Sequence, residues 1–350
     1  MKGVESVRKI FLRSLVMIGI TVGMIVIGLY CVMWICVNGP SERAKELFVL
    51  SVRETSAVGF LADWFCTKEE IAVIEQAQAE EEIRITDTSL IKVEVVSKTE
   101  EISEEQSGKD LQNVTQEEEN KPVEEIEFHN VSGATYKGIM MIVKDPSRVI
   151  VGTSSPVYEQ GVPGKKVVDM IASYNAVGGV NAGGFEDPQG AGDGGIPKGI
   201  VISEGELRFG NLEETYEVIG LSKENVLIVG SMTASHALEM GIRDAVSFGP
   251  ILIVNGEATK ASKGGGLNPR TAIGQREDGA ILLLVIDGRQ SSSLGASYWD
   301  ITEVMLDFGA VNAANLDGGS SSVMYYEGEL LNSCSSIYGP REMPTSIVVR

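Results

Sequence analysis

An uncharged apolar run near the N-terminus constrains this chain more than any other feature. The run extends over 23 residues, from Leu15 to Val37. At about 1.5 Å per residue, a helix of that length crosses the roughly 30 Å hydrocarbon core of a bilayer. Four basic residues precede it: Lys2, Arg8, Lys9 and Arg13. The positive-inside bias therefore places residues 1–14 in the cytoplasm and the rest of the chain outside. We predict a single-pass signal-anchor in the cell membrane at 15–37, because the alternative, a cleaved signal peptide, normally has a shorter apolar core.

Two segments follow the predicted transmembrane helix. Residues 38–79 carry apolar positions at helical spacing, and Thr67 followed by Glu70 has the pattern of a capping box, so a juxtamembrane helical segment is expected. Residues 80–127 contain 16 acidic and 5 basic residues and no aromatic side chain. Such a composition cannot bury enough apolar surface to offset the entropy of ordering. It predicts a disordered, acidic, low-complexity linker.

Charge and cysteine usage exclude two classes of protein. The formal net charge is −20 and no basic stripe is present, whereas nucleic-acid binding depends on Lys and Arg that neutralise phosphates. Nucleic acid is therefore not an expected partner. The four cysteines form no CxxC or Cys/His cluster, which argues against a zinc site. Cys66 and Cys334 lie far apart, and we expect free thiols rather than a disulfide.

Residues 128–350 have the composition of a globular domain, with short apolar runs bounded by glycines. Strands are predicted near 138–143, 148–152, 199–203, 215–219, 225–229, 245–254, 271–276, 280–286, 312–316, 322–326 and 345–349. Helical patterns occur near 164–174, 233–241 and 297–308, and the last ends at Gly309, a usual helix stop. The predicted fold class is α+β: a mixed β-sheet domain with few helices, preceded by the transmembrane helix and the disordered linker.

Small, polar and acidic residues concentrate in the loops between these strands, where sites are commonly built. The stretch Asn181-Ala182-Gly183-Gly184-Phe185-Glu186 combines an amide and an acid with glycines that allow close approach of a ligand. The loop 187–195 contains two aspartates among glycines. It is read either as a mobile flap or as a calcium loop, although it lacks EF-hand spacing. Each stretch is also compatible with a simple turn.

Three further segments place charged groups at strand ends. Arg270 begins a strand after Asn268-Pro269, and a guanidinium there is able to fork onto phosphate oxygens. Asp287 and Asp317 each follow an apolar strand and precede glycine. An acid at such a position faces a rim, and the glycines and serines after it supply donors for oxyanions.

Together these segments resemble the phosphodiester glycosidase family over roughly residues 130–350. The most specific motifs are Asn-Pro-Arg-Thr-Ala-Ile-Gly (268–274), Ile-Asp-Gly-Arg-Gln (286–290) and Asn-Leu-Asp-Gly-Gly-Ser-Ser (315–321). Supporting motifs are Ser-Phe-Gly-Pro (247–250), Asn-Ala-Gly-Gly-Phe (181–185) and Arg-Glu-Met-Pro-Thr (341–345). One departure is Gly184, where the resemblance leads us to expect a bulky aromatic residue beside Phe185.

The resemblance implies a hydrolase that cleaves the bond between a sugar and the phosphate of a sugar 1-phosphodiester. Cell-envelope or exopolysaccharide glycans are the expected substrates, because the domain is predicted to lie outside the cell. Arg270, Arg289 and Arg341 are candidate phosphate clamps, and Asp317, Asp287 and Glu186 are candidate bases or nucleophiles. Further binding residues are expected at Asn181, Gly183, Gly318, Gly319, Ser320 and Ser321. Asp287, Asp317, Arg270 and Asn181 should converge on one pocket.

Other functions stay open at this stage. A serine hydrolase would need Ser320, Ser321 or Ser322 with His129 or His236 as base, but the nucleophile-elbow motif is missing. A non-catalytic polysaccharide-binding or assembly module of the envelope is the main alternative, and it is weakened by the scarcity of Trp in the domain. A transferase between phosphodiester carriers is a second. No cofactor is expected; carboxylates without histidine would suit Ca²⁺ or Mg²⁺ better than zinc, and no transition metal is expected.

Overall fold

The computed structural model describes residues 2–55, 58–76, 85–93, 125–188 and 192–350. Most of the predicted acidic linker lies outside the described residues. Its last residues, 125–127, are described, and a strand begins at Ile126. Residues 85–93 are described as well, and Thr86 and Ile91 are buried. The Thr86 hydroxyl accepts a hydrogen bond from the backbone N–H of Val229 at 2.9 Å. Residues 85–93 therefore pack on the domain. The charge-rich sequence around them did not predict this packing.

The N-terminal part is helical, as predicted. Its helices are α1 (Lys2–Asn38), α2 (Glu42–Arg53), α3 (Phe60–Phe65) and α4 (Lys68–Gln76). Within α1, the stretch Arg13–Asn38 is long and apolar enough to cross a membrane, and it is the one such helix among the described residues. The capping box before α4 is confirmed: the backbone N–H of Thr67 donates to the Glu70 carboxylate at 2.8 Å, and the N–H of Glu70 donates to the Thr67 hydroxyl at 3.2 Å.

Helices α2 to α4 form a small cluster with an apolar core of its own. The buried residues of this core are Val37, Val49, Ala62, Cys66 and Ile71. Val37 belongs to the end of α1, so the cluster packs directly on the apolar helix. No residue of the domain belongs to this described core. We call α2 to α4 the N-terminal cluster.

The domain is built on a seven-stranded antiparallel sheet, counted over the described residues, in the order β1-β2-β14-β13-β15-β11-β12. Its strands are β1 (Ile126–Ser132), β2 (Lys137–Val143), β11 (Ile251–Val254), β12 (Glu257–Ala258), β13 (Arg270–Arg276), β14 (Ile281–Ile286) and β15 (Ala310–Leu316). Side chains of β14 alternate between the two faces: Ile281, Leu283 and Val285 enter one core, and Leu282, Leu284 and Ile286 enter another. Such a strand is covered on both sides.

Two five-stranded sheets and a short hairpin complete the strand content of the described residues. One sheet has the order β7-β6-β10-β8-β9 and the other β17-β16-β5-β19-β3, and β18 pairs with β4. Their strands are β3 (Val149–Thr153), β4 (Lys165–Lys166), β5 (Gly178–Asn181), β6 (Val201–Ser203), β7 (Glu206–Phe209), β8 (Thr215–Ser222), β9 (Leu227–Thr233), β10 (Ile242–Ser247), β16 (Met324–Tyr326), β17 (Glu329–Leu330), β18 (Glu342–Met343) and β19 (Thr345–Val349). These sheets cover one face of the large sheet through a shared apolar core.

Three helices pack on the sheets: α5 (Val167–Ser173), α6 (Ala234–Glu239) and α7 (Tyr298–Asp307). Helix α7 covers the second face of the large sheet through Ile301 and Met305. It starts with a capping box between Ser297 and Asp300 and ends before Gly309, as predicted. The α+β class is confirmed, and the strand pairs are antiparallel throughout the described residues.

The predicted strand 245–254 is divided in the structure. Gly249-Pro250 separates β10 from β11, and these strands belong to different sheets. Strands β1, β5 and β7 were not predicted, and neither were the two-residue strands β4, β12, β17 and β18. For β5 the reason is its composition, because glycine lowers β-propensity. A Cβ on Gly179 would lie 2.3 Å from the Ile347 carbonyl oxygen, so the close approach of β19 requires glycine there.

Candidate active site

A pocket of about 540 Å³ opens at one edge of the large sheet. Strand β13 runs antiparallel to both β14 and β15, so its first residue, Arg270, meets the last residues of those strands. This topology brings Arg270, Arg289 and Asp317 to the same edge, although they are distant in sequence. The pocket is lined by Glu54, Thr55, Gly184, Phe185, Asp187, Lys198, Phe248, Asn268, Arg270, Arg289, Tyr298, Asp317, Gly318, Gly319, Ser320, Ser321 and Arg341.

Arg270 is fixed in the wall of the pocket. Its Nε donates to the Ala296 carbonyl at 3.1 Å, and a terminal nitrogen donates to the Gly266 carbonyl at 2.7 Å. The guanidinium lies 4.1 Å from the centre of the Tyr298 ring, a cation–π contact. The same terminal nitrogen is 2.6 Å from a carboxylate oxygen of Glu54. Arg270 is thus oriented by backbone and ring, and its charge is met by an acid from the end of α2.

Arg289 is a second cation beside Arg270. Its terminal nitrogen donates to the Asn268 side-chain oxygen and to the Thr55 hydroxyl, both at 3.1 Å. A Cβ on Gly319 would lie 3.1 Å from that nitrogen. The absence of a side chain at Gly319 therefore leaves room for the guanidinium of Arg289. Burial, and after it the charge of Arg270, lower the pKa of Arg289. Two neighbouring guanidinium groups around one asparagine make a cradle suited to an anion.

Asp317 is the titratable acid of the pocket floor. Its carboxylate accepts hydrogen bonds from the Ser321 side chain and the Gly318 backbone N–H, which favour the charged form. Burial outweighs them and raises the pKa of Asp317 to about 6. Its position at the end of β15 is fixed by a hydrogen bond from its own N–H to the Ala182 carbonyl at 2.9 Å.

Arg341 is the third arginine that lines the pocket. Its terminal nitrogens donate to both carboxylate oxygens of Asp187, and the guanidinium lies 4.8 Å from the centre of the Phe185 ring. This pairing lowers the pKa of Asp187. The carboxylate of Asp187, in the loop after Phe185, therefore balances the positive charge of Arg341. Arg341 still acts on Asp317, because its positive charge favours the ionised form of that carboxylate.

Four of the predicted site residues do not line the pocket. Asp287 accepts hydrogen bonds from the Asn332 side chain and the Ser333 backbone N–H, at 3.2 and 2.9 Å. Glu186 is exposed. Asn181 is fully buried, and the N–H of Gly183 donates to the Thr345 hydroxyl.

Asn181 supports the floor of the pocket from behind. Its side-chain nitrogen donates to the Asp317 carbonyl at 2.5 Å, and its side-chain oxygen accepts from the Thr271 hydroxyl at 2.7 Å. The expected convergence on one pocket therefore holds for Asp317 and Arg270, whereas Asp287 and Asn181 lie outside the lining. The remaining predicted residues line it: Arg289, Arg341, Gly318, Gly319, Ser320 and Ser321.

The departure at Gly184 has a geometric explanation. A Cβ at this position would lie 2.8 and 3.0 Å from two ring carbons of Phe248. The ring of Phe248 thus occupies the space that a side chain at 184 would need. The aromatic wall expected at 184 is contributed by Phe248, from the Ser-Phe-Gly-Pro motif.

The described residues give no support to histidine or zinc chemistry. His129 and His236 are outside the pocket lining, so the serines near Asp317 have no histidine base there. All four cysteines are free thiols in the structure. Among the described residues no group of three or more His, Cys, Asp or Glu is arranged to hold a metal ion. Asp187, one of the two aspartates considered for a calcium loop, binds Arg341 instead.

Sequence reasoning did not single out several pocket residues. Phe248 and Asn268 stand inside motifs that were recognised, so the motifs could have named them. Tyr298 and Lys198 carry no local signal that separates them from ordinary helix and loop residues. Glu54 and Thr55 lie far outside the family-like region, and only the three-dimensional structure brings them to the pocket.

Comparison with known families matches the part of the chain that carries most of this pocket. The family model described as phosphodiester glycosidase matches residues 174–350. The chain belongs to the phosphodiester glycosidase family. The matched range contains Asp317 and the three arginines of the pocket, whereas the apolar helix and the N-terminal cluster precede it.

Two curated proteins are relatives of this chain over part of its length. The SPbeta prophage-derived uncharacterized protein YomE of Bacillus subtilis is 36% identical over 103 residues, which are 28% of this chain and 16% of that protein. N-acetylglucosamine-1-phosphodiester alpha-N-acetylglucosaminidase of Bos taurus is 39% identical over 64 residues, 18% of this chain and 12% of that protein. The matches therefore span less than a fifth of either relative's length.

A solved structure shares the fold of the domain. It is the catalytic domain of zebrafish N-acetylglucosamine-1-phosphodiester alpha-N-acetylglucosaminidase, described as auto-inhibited by its pro-peptide. The TM-score is 0.54 at 21% identity, and the match covers 66% of this chain and 85% of the zebrafish one.

Proposed function

We propose that this phosphodiester glycosidase is a membrane-anchored extracytoplasmic hydrolase that cleaves the bond between the anomeric carbon of a sugar and the oxygen of its 1-phosphodiester. One observation carries the proposal. The carboxylates that line the described pocket are Glu54, Asp187 and Asp317. Glu54 pairs with Arg270, and Asp187 pairs with Arg341. Asp317 is left as the acid without a direct ion pair, next to a cradle of arginines.

This arrangement matches what the reaction needs. The carbon–oxygen bond to phosphate breaks, the electron pair stays on the phosphate oxygen, and a water oxygen forms the new bond to carbon. Arg270 and Arg289 are placed to stabilise the charge on the departing phosphate. With a pKa of about 6, Asp317 is able to take the proton from water near neutral pH, or to attack the anomeric carbon directly. Backbone and hydroxyl donors at Gly318 and Ser321 keep its carboxylate in place.

The anchor supports an assignment to the cell surface. Helix α1 contains the apolar stretch Arg13–Asn38, and the basic residues before it favour a cytoplasmic N-terminus. The domain would then meet cell-envelope or exopolysaccharide glycans that carry phosphodiesters. The chain has a net charge of −20, so most of its surface would repel an anionic glycan. The three arginines of the pocket would attract the phosphate groups of that glycan to the site.

Hydrolysis in ¹⁸O-labelled water tests the proposed bond cleavage. The full-length chain in detergent is incubated with a panel of sugar 1-phosphodiesters, with the Asp317→Asn variant as the inactive control. We expect ¹⁸O in the sugar hemiacetal and none in the phosphate. Label in the phosphate would mean phosphorus–oxygen cleavage and would contradict the proposal. Tight binding of glycan with no product from any substrate would favour the binding module instead.

A further inference from the structure

Helix α3 exposes two aromatic side chains beside the apolar helix α1. Phe60 and Trp64 are 50% and 72% exposed, and their rings meet edge to face at 5.1 Å between centroids. They stand four residues apart and therefore lie on one side of the helix. The pair forms an apolar surface on the outside of the N-terminal cluster.

A ring contact fixes the level of α3 along α1. The centroids of Phe65 in α3 and Tyr30 in α1 are 5.4 Å apart. Tyr30 lies eight residues before Asn38, the last residue of α1, which is about 12 Å of helix. With Arg13–Asn38 across the bilayer, as proposed, α3 lies beside the last two turns of the spanning helix, at the depth of a membrane–water interface. Tryptophan is enriched at that depth, because its ring is apolar and carries a polar N–H.

One tight turn joins the aromatic pair to the pocket. Thr55 lines the pocket, and its carbonyl accepts a hydrogen bond from the N–H of Val58 at 3.1 Å. Phe60 follows Thr55 by five residues, so their Cα atoms are at most about 18 Å apart. Arg53, at the end of α2, pairs with Asp63 of α3 at 3.3 Å. The same turn therefore carries part of the pocket wall and leads into the surface at the level of the interface.

Close contacts seat the domain on the end of α2. The Ser51 hydroxyl accepts from the backbone N–H of Leu267 at 2.8 Å, and the Asn268 side chain donates to Glu54 at 2.7 Å. A Cβ on Gly266 would lie 2.2 Å from the Ser51 nitrogen, so the two backbones pack directly on each other. These contacts hold the pocket beside the N-terminal cluster, and so close to the end of α1.

We propose that α3 lies in the membrane interface and holds the pocket at the bilayer surface, where the substrate is a lipid-linked sugar 1-phosphodiester. This inference rests on the proposed function for both the anchor and the bond that is cleaved. The proposed reaction leaves open which alcohol esterifies the far side of the phosphate. A pocket at the bilayer surface favours a membrane lipid as that alcohol, because enzyme and substrate then meet at a high effective concentration.

The products follow from the same bond cleavage. The anomeric carbon receives a hydroxyl from water, the phosphate oxygen keeps the bonding electron pair, and the remaining proton of that water is released. A free sugar and a lipid phosphate are therefore formed, and the lipid phosphate stays in the membrane.

Two matched esters of one sugar 1-phosphate test the substrate class. The full-length chain is reconstituted in phosphatidylcholine vesicles, whose headgroups carry no net charge. It receives the sugar 1-phosphate esterified either to methanol or to hexadecanol. We expect kcat/KM to be about tenfold or more higher for the hexadecyl ester. Equal values for the two esters would overturn the lipid-linked substrate and leave the proposed hydrolysis standing.

The double substitution of Phe60→Ser with Trp64→Ser separates the membrane surface from the pocket. It should lower kcat/KM for the hexadecyl ester about fivefold or more and leave the value for the methyl ester unchanged. Leu212→Ser is the matched control, because Leu212 is an exposed apolar side chain of the domain, and it should match the wild type on both esters. An equal loss on both esters would assign the aromatic pair a structural role and overturn the inference.

Fluorescence quenching by brominated lipids reports the depth of Trp64 independently of catalysis. The substitutions Trp34→Phe and Trp299→Phe make Trp64 the sole tryptophan of the chain. Lipids brominated near the headgroup end of the acyl chains should quench it more than lipids brominated at the chain ends. Quenching by neither, or stronger quenching from the chain ends, would overturn the inference. If the wild type hydrolyses neither ester, the proposed function fails and the lipid-linked substrate fails with it, whereas quenching still decides the position of α3.

Discussion

Arg341 and Asp187 share two parallel hydrogen bonds, in which the terminal guanidinium nitrogens donate to the two carboxylate oxygens at 2.7 and 2.8 Å. The pair joins the C-terminal motif 341–345 to the loop that follows Phe185. The motifs alone suggest that the Arg341 guanidinium is free to bind a phosphate. In the structure it is already bound to the Asp187 carboxylate. Any role of Arg341 in binding therefore depends on its neighbour.

Asp187→Asn should weaken this arrangement. We expect a loss of about 1–2 kcal/mol in the free energy of unfolding and a higher KM, because Arg341 loses its charged partner. The pKa of Asp187 is lowered, so its stabilising contribution is present above the ordinary aspartate range and disappears as the pH falls through the folded-state value. Denaturant unfolding at pH 7 and at pH 3 checks this. An equal difference from the wild type at both pH values would contradict it.

Asp317→Asn should abolish hydrolysis and leave the domain at least as stable. Burial raises the pKa of Asp317 from 3.8 to about 6, so ionising it costs free energy in the folded state. The folded state holds this proton more tightly than the unfolded state, and wild-type stability therefore falls as the pH rises from about 4 to about 6. At pH 7 the variant should gain roughly 1–3 kcal/mol. A marked loss of stability would indicate a structural role instead.

The activity of the wild type should follow the same ionisation. If Asp317 acts as base or nucleophile, kcat/KM rises with pH and levels off above about 6. A profile that is flat between pH 4.5 and 7.5 would remove Asp317 from that role.

Asp287→Asn should differ from Asp317→Asn, since Asp287 contacts Asn332 and Ser333 rather than the pocket. Asparagine keeps an acceptor oxygen for both donors. We expect most of the activity to remain, with a small decrease in thermal stability. Measuring kcat and melting temperature of both variants side by side separates the two aspartates; complete loss of activity in folded Asp287→Asn would return it to the catalytic group.

Gly184→Ala should cost stability through Phe248. The added methyl group meets the ring at 2.8 Å, and overpacking of this kind typically costs about 1–3 kcal/mol. In a Phe248→Ala background the cost should largely vanish, which a double-mutant cycle in denaturant measures. A cost that is the same in both backgrounds would show that the backbone, and not the ring, requires glycine.

The sequence predicts the central part of this site and misses its boundary. Arg270 begins β13, whereas Arg289 and Asp317 follow the apolar strands β14 and β15. All three are recognisable because each stands in a specific motif. Asp287 also follows an apolar strand within a motif, yet its side chain accepts a hydrogen bond from Asn332. The orientation of a side chain at the end of a strand depends on its tertiary neighbours, which the local sequence does not specify. Glu54 has no signal at all: its role depends on where α2 docks, and no local pattern encodes that contact. Strand β5 was missed for a related reason, since its glycines are explained only by the proximity of β19.

Strand β14 consists of Ile-Leu-Leu-Leu-Val-Ile, and each of these side chains is fully buried. A run of six uncharged residues with high β-propensity is also the kind of segment that forms intermolecular β-structure when exposed. The fold hides it between β2 and β13, so it is protected only once strands from distant parts of the chain have assembled around it. Charged residues, Asp278 before the strand and Asp287 and Arg289 after it, bracket the run as gatekeepers. Misassembly at this strand is thus a hazard for a newly synthesised chain until the large sheet is complete.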